Sequence, residues 1–240
     1  NRGDLMVSDR VNFQRIYDLT ERVLPPWVDL HEPTEAEASN YLLERSMKAL
    51  GICDPRQVPD YMGLKRTKAK PLMEQMIGDG TFTTFTARLD SDNVRELVVH
   101  RDDLPRLERA ADGSLAPNHV TFLSPFDNLF WAKRRAMQFW GFEQILEAYK
   151  PRTMRRWGYF CMPILYHDQL VGRIDPKLDR LNRTLRLVNI YLEPGVQPHD
   201  KLVASLADAL RDFMAFHDAR DLVIERSLPT DLGRMVLRVI

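Results

Sequence analysis

The stretch from Gly158 to Leu192 constrains this chain most. Three runs in it alternate apolar and polar residues: Gly158 to Tyr166, Gln169 to Lys177 and Thr184 to Leu192. Alternation at a period of two places one set of side chains on each face of a strand. Tyr166-His167-Asp168 and Arg180-Leu181-Asn182-Arg183 supply turn residues between the runs, so hairpin-connected antiparallel strands are expected. In the second run Leu170, Gly172 and Ile174 stand against Val171, Arg173 and Asp175. In the third, Leu185, Leu187, Asn189 and Tyr191 share one side. Short strands in series leave bare edges unless they close up or are covered. A small barrel or curled sheet over Val120 to Pro194 is therefore expected.

Upstream of Asn118 the periodicity is helical. Thr34-x-x-Glu37 is a capping box and Gly51 a suitable stop, framing a helix whose stripe is Ala38, Tyr41, Leu42, Met47, Ala49 and Leu50. Pro55 to Met62 reads as a short helix. Thr67 to Ile77 reads as a third, with Leu72, Met73, Met76 and Ile77 inward; Pro71 fits there only in the first turn. Thr81 to Ala87 and Arg95 to His100 read as strands around a turn made acidic by Asp90 and Asp92. Three helices, a strand, a wing and a strand make the winged helix-turn-helix order. Asp102 to Ala110 adds a helix. Downstream, Pro198 to Ala219 is an amphipathic helix with Leu202, Leu206, Leu210, Phe213 and Phe216 inward, Leu222 to Glu225 a last strand, and Leu232 to Ile240 a terminal helix.

At the start, Leu5 to Ser8 and Phe13 to Asp18 read as a hairpin with Asp9 to Asn12 between them. Such a ribbon is marginal alone in water, and the first residue is Asn1 rather than Met. The chain is therefore expected to be the C-terminal portion of a longer protein. The expected class is α+β: a winged helix-turn-helix followed by a small antiparallel β-barrel with a C-terminal packing helix. Its regions are a wing hairpin and linker (1–30), a winged-helix domain (31–110) and the barrel with C-terminal helices (111–240).

Charge narrows the function classes. Net charge is zero over 240 residues, so no global field draws the chain to nucleic acid or membrane, and anion binding must come from local clusters. The two cysteines, Cys53 and Cys161, lie far apart, which argues against a disulfide framework and fits a reducing, cytoplasmic location. No apolar run approaches ~18 residues, so no membrane span is expected. The histidines make no short-spaced pair, so no metal and no cofactor are expected. A Gly-rich phosphate loop and a nucleophile elbow are also lacking.

Three basic groups could meet phosphates. Lys65, Arg66, Lys68 and Lys70 crowd the start of the third helix, where positive charge opposes the macrodipole; a solvated helix start is the alternative. Lys150, Arg152, Arg155 and Arg156 are bracketed by Tyr149 and Trp157, a mixture that suits a nucleic-acid backbone and an unstacked base. A charged loop over two core rings is the alternative there. Lys133, Arg134 and Arg135 are consecutive, so at most two share a helix face. Among the acids, Asp127, Glu143, Glu147 and Asp175 look positioned by their neighbours. Asp127 after Ser-Pro-Phe suits a helix N-cap better than catalysis, and it is the one weak catalytic candidate.

Four stretches resemble the winged-helix DNA glycosylases of the YcaQ/AlkZ type. They are Phe13-Gln14-Arg15-Ile16-Tyr17-Asp18-Leu19-Thr20-Glu21-Arg22-Val23-Leu24-Pro25, Leu123-Ser124-Pro125-Phe126-Asp127, Gly141-Phe142-Glu143, and Gly158-Tyr159 through Leu170-Val171-Gly172-Arg173-Ile174-Asp175. The resemblance covers most of the chain. It implies a string of winged helices and a small barrel in a bacterial DNA-repair enzyme. That enzyme would hydrolyse the N-glycosidic bond of alkylated purines or unhook interstrand crosslinks. It implies damaged double-stranded DNA as partner, a monomer, and no membrane. By this likeness Leu5 to Asp18 is the wing of a preceding winged helix, Thr34 to His100 the last winged helix, and Val120 to Pro194 the barrel. The catalytic signature of such enzymes is Gln, an apolar residue, then Asp or Gln. Gln14-Arg15-Ile16, Gln138-Phe139-Trp140 and Gln144-Ile145-Leu146 all fail it, so no catalytic residue carries over and the signature is expected upstream. On the residues alone, a non-enzymatic winged-helix regulator is the alternative.

Overall fold

The structure, a computed structural model, describes residues 3–89, 93–132 and 134–240, in two units, 1–38 and 39–240. In the first unit, β1 (Leu5–Val11) and β2 (Gln14–Leu19) pair antiparallel, with Val11 opposite Gln14 and Arg10 opposite Arg15. The turn is Asn12-Phe13 alone, shorter than the sequence suggested, with φ of 49° and 65°. Two residues of positive φ match the twist of the flanking strands, which a four-residue turn need not do. Asn enters that region readily. For Phe13 it costs about 1–2 kcal/mol. α1 (Thr20–Val23) follows. The capping box forms as expected: Thr34 donates its backbone N–H and hydroxyl to Glu37 Oε2 at 2.8 and 2.7 Å, and the Glu37 N–H donates to Thr34 Oγ1 at 3.3 Å. The Thr34 hydroxyl, then its N–H, hold the Glu37 carboxyl below its usual range.

α2 (Glu35–Leu50) continues into the second unit and buries Leu43, Ser46, Met47 and Leu50. That is the i, i+3, i+4, i+7 stripe of a helix with one dry face. Tyr41, assigned to the stripe from sequence, is 63% exposed, and Leu43 takes the inward place. β3 (Ile52–Cys53), α3 (Gln57–Tyr61), α4 (Arg66–Gly78), β4 (Phe82–Arg88) and β5 (Val94–His100) complete this region, with an antiparallel sheet in the order β3-β5-β4. Leu43, Met47, Val58, Met73, Met76, Phe82 and Val98 form its core. Pro71 lies in the second turn of α4 rather than the first, where its missing N–H removes a helical hydrogen bond to Thr67. Asp90 and Asp92, expected in the turn between β4 and β5, lie outside the described residues.

α5 (Leu104–Ala111), β6 (Val120–Phe122), α6 (Asn128–Trp131) and α7 (Arg135–Trp140) lead to the main sheet. β7 (Met162–Tyr166), β8 (Gln169–Asp179) and β9 (Thr184–Leu192) follow, then α8 (Asp200–Phe216), β10 (Asp221–Ile224), β11 (Ser227–Leu228) and α9 (Leu232–Val239). The strand order is β10-β9-β8-β7-β6, a curled half-barrel. The three alternating runs pair antiparallel as expected. β10 and β11 lie parallel to β9, because α8 returns the chain to its starting end. β7 begins at Met162 and not at Gly158, since the Tyr159 and Phe160 N–H groups bond a carboxylate instead of a ladder. A bulge between Asp175 and Pro176 accommodates a residue that cannot donate, and it shifts the parity of β9. Leu185, Leu187 and Asn189 are buried, then Ile190 and Leu192, with Tyr191 between them half-buried. Ile164, Ile174, Leu187 and Ile190 pack on Leu202, Leu206 and Leu210 of α8. Phe216, expected inward, is 84% exposed; Val203 and Met214 are buried. Among the described residues no helix is long and apolar enough to cross a membrane.

The two readings of α2 differ in energy. Leu43→Ala is expected to lower stability by about 2–5 kcal/mol through the cavity it opens. Tyr41→Ala is expected to stay within about 0.5 kcal/mol. Urea unfolding of both variants measures the difference, and equal losses would refute the stripe described here.

Candidate nucleic-acid interface

Arg173 on β8 is 1% exposed, which no guanidinium tolerates without compensation. Its Nη2 and Nε donate to Glu193 Oε1 at 2.6 and 3.0 Å, and Nη1 donates to the Glu143 carbonyl at 3.2 Å. Its guanidinium also lies 4.2 Å from the ring centroids of both Phe142 and Trp157, close enough for cation–π attraction. Four separated segments thereby meet at one side chain.

The loop between Phe142 and Met162 is closed by two more buried groups. Glu147, 3% exposed, accepts from the backbone N–H groups of Arg156 (3.1 Å), Trp157 (2.7 Å) and Gly158 (3.4 Å), and from Lys150 Nζ at 3.0 Å. Burial opposes its ionisation. The donors, the Trp157 N–H first, outweigh that and hold the carboxyl at about 2. Asp175 accepts from the N–H groups of Tyr159 (3.1 Å) and Phe160 (3.2 Å). Gly158 is required beside it: a Cβ there would stand 2.1 Å from Asp175 Oδ2. Asn189 Nδ2 donates to the Trp157 carbonyl at 3.2 Å and completes the closure.

With the loop fixed, its cations face a cavity of about 1050 Å³. Arg152, Arg155 and Arg156 of the loop line it together with Lys177, Arg180 and Arg186, from β8, its turn and β9, and with Arg226. Seven cationic side chains line this basin against three carboxylates, in a chain of zero net charge. The acids are occupied: Asp175 with the loop, Asp179 with Asn182, and Glu225 with Arg186 at 2.8 Å. Arg152, Lys177, Arg180 and Arg226 form no ion pair among the described residues. Arg155 lies over the Tyr159 ring at 4.9 Å and Arg156 over Trp157 at 4.2 Å. Cations beside flat rings suit a phosphate backbone and its bases.

The other residues singled out from sequence are dispersed. Lys150 turns its ammonium to Glu147 and does not line the basin. Arg66 forms a two-pronged pair with Asp60 and lines a second cavity of about 820 Å³ with Arg134, Arg56 and Arg95. Lys65, Lys68 and Lys70 are exposed at the start of α4, outside both cavities, and Lys70 pairs with Glu74 at 3.8 Å. Lys133 lies outside the described residues. Arg135 is buried: it donates to the carbonyls of Ile52 and Leu50, the latter at 2.9 Å, and desolvation lowers its pKa. Asp127 is the N-cap of α6, its Oδ1 accepting from the Leu129 N–H at 2.9 Å. Burial pushes both Cys53 and Cys161 up to about 12, so neither is a ready nucleophile. Among the described residues no group of three His, Cys, Asp or Glu is placed to hold a metal ion.

Lys177, Arg180, Arg186 and Arg226 escaped sequence reasoning because they come from separate segments. One signal was available. Once Gln169 to Lys177 and Thr184 to Leu192 are paired as a hairpin, the register sets Lys177 opposite Arg186. Like charges across a ladder are unfavourable unless an anion lies between or beside them.

A family model described as DNA glycosylase AlkZ-like matches residues 1–216. No solved structure matches the chain.

The Glu147 clamp has a pH signature. Its carboxyl sits near 2 in the fold against an ordinary 4.5, so its stabilisation is complete above 4.5 and is lost as pH falls through that interval. Glu147→Gln is expected to lower stability at neutral pH and to flatten the stability–pH curve between 4.5 and 2. Urea unfolding across that range measures it, and an unflattened curve in the variant would remove the clamp.

Proposed function

We propose that this chain, which belongs to the AlkZ-like DNA glycosylase family, grips duplex DNA by its backbone through the basic basin. It would thereby present an alkylated purine, or a purine tied into an interstrand crosslink, for hydrolysis of its N-glycosidic bond. The concentration of seven cations around one cavity in an uncharged chain carries this reading. Family membership supports DNA as the partner and DNA repair as the setting, and it favours the enzyme over a regulator. The order α2, β3, α3, α4, β4, β5 supports a winged helix over residues 31–110. On that reading the half-barrel sheet is the small barrel of 111–240, and Lys65, Arg66, Lys68 and Lys70 add phosphate contacts from α4.

The chemistry suits an open basin. An N7-alkylated purine is cationic and leaves without an added proton, so the site needs a positioned water and negative charge near the oxocarbenium-like sugar. A crosslinked base, tied to the opposite strand, cannot enter a snug pocket. The basin supplies binding that is nearly equal for substrate and transition state, which does not raise the chemical rate. We accordingly give these 240 residues the binding role, and Asp127 the role of a helix cap.

Two measurements test this. Arg155→Ala/Arg156→Ala should flatten the dependence of log K on log salt by about one to two units, equally on all duplex sequences. An unchanged slope would count against the basin. Residues 1–240 incubated with N7-methylguanine DNA should leave abasic sites only at the spontaneous rate, counted by alkaline cleavage. A faster rate would overturn the division of roles and direct attention to Asp127, Glu143 and Asp175.

A further inference from the structure

Strand pairing alone does not account for the tip of the β1–β2 hairpin. Phe13 occupies the left-handed region at φ 65°, which glycine or asparagine enters more readily, and its ring is 95% exposed. Directly behind it Arg10 and Arg15 face each other across the ribbon, where like charges repel. Alternation sets both guanidiniums on one face, with Val11 and Gln14 on the other. From Arg10 to Arg15 the tip holds two cations and no acid. The neighbouring carboxylate, Asp9, is turned to the Arg10 backbone N–H at 2.7 Å. A flat ring on a strained turn, backed by paired guanidiniums, calls for a partner that accepts an aromatic plate and carries anions beside it. Duplex DNA does both, with stacked bases for the ring and phosphates for the arginines.

We propose that this hairpin tip is a wedge that reads a gap in the base stack: Phe13 fills the place of a missing or displaced base, and Arg10 and Arg15 hold the adjoining phosphates. A ring inserted into an intact stack must first separate neighbouring bases, whereas a gap asks for no unstacking. The wedge therefore discriminates a duplex lacking one base from an intact one. It rests on the reading that DNA is the partner, and it adds a response to the state of the base stack that the phosphate contacts of the basin do not supply.

The test uses the whole 240-residue chain and two duplexes of one sequence, one intact and one with a tetrahydrofuran abasic-site analogue at its centre. The unaltered chain should prefer the gapped duplex by about tenfold, the order contributed by one base–ring stack. Phe13→Gly should abolish that preference. It should leave affinity for the intact duplex and its salt dependence unchanged, and its melting temperature should be no lower, because glycine accepts this φ. Arg10→Ala/Arg15→Ala should instead weaken both complexes and flatten the salt slope by about one to two units while keeping the preference. A Phe13→Gly chain that still prefers the gap, or an unaltered chain that binds intact duplex with no preference, overturns the wedge and leaves the basin standing. An unaltered chain that binds neither duplex overturns both.

Discussion

The loop that carries the basin's arginines depends on the guanidinium of Arg173. A buried charge of this kind is costly by itself, and removing one partner of a buried pair costs about 3–5 kcal/mol. Here the partners are Glu193 after β9, the Glu143 carbonyl, and the rings of Phe142 and Trp157 at either end of the loop. None of these lies next to Arg173 in sequence. Phe142, Glu143 and Trp157 of the loop are thus tied to the sheet by one side chain.

Glu147 and Asp175 then perform a task that backbone pairing performs elsewhere. Residues 156–160 pair with no strand, and their N–H groups would be orphaned without another acceptor. Two carboxylates take them. The same anions lie beneath a loop carrying Lys150, Arg152, Arg155 and Arg156, and so reduce the mutual repulsion of those cations. Glu147 and Asp175 are buried, while Arg152, Arg155 and Arg156 are left to line the basin. A zero-net-charge chain acquires a strongly basic surface by this sorting.

On the proposed function, the basin and the hairpin tip would be two different physical solutions to holding DNA. The backbone of the loop that carries Arg152, Arg155 and Arg156 is fixed by Glu147, Asp175 and Asn189, which reduces the ordering cost of binding. The tip holds a turn at positive φ, an exposed ring and two guanidiniums whose mutual repulsion neighbouring anions would relieve. Electrostatics of the first kind is indifferent to sequence and sensitive to salt. Insertion of the second kind responds to the state of the base stack.

By itself the sequence determined the antiparallel run β7–β9, the capping box at Thr34, the helix cap at Asp127 and the apolar face of α8 from Leu202 to Leu210. Each of these is a local pattern of period 2, period 3.6 or a short side-chain-to-backbone reach, and such patterns survive without knowledge of the rest of the chain. The resemblance across Phe13 to Pro25 and Leu170 to Asp175 likewise sufficed for the family. Only the tertiary structure decided the inward place of Leu43 over Tyr41, the parallel pairing of β10 and β11, and the exposure of Phe216. It alone separated Arg155 and Arg156, which face the basin, from Arg135, which is spent on the carbonyls of Leu50 and Ile52. It also recruited Lys177, Arg180, Arg186 and Arg226 from separate segments. The physical reason is range: burial and charge are set by every neighbour within a few ångströms, and for a buried guanidinium such as Arg173 those neighbours come from residues 142 to 193.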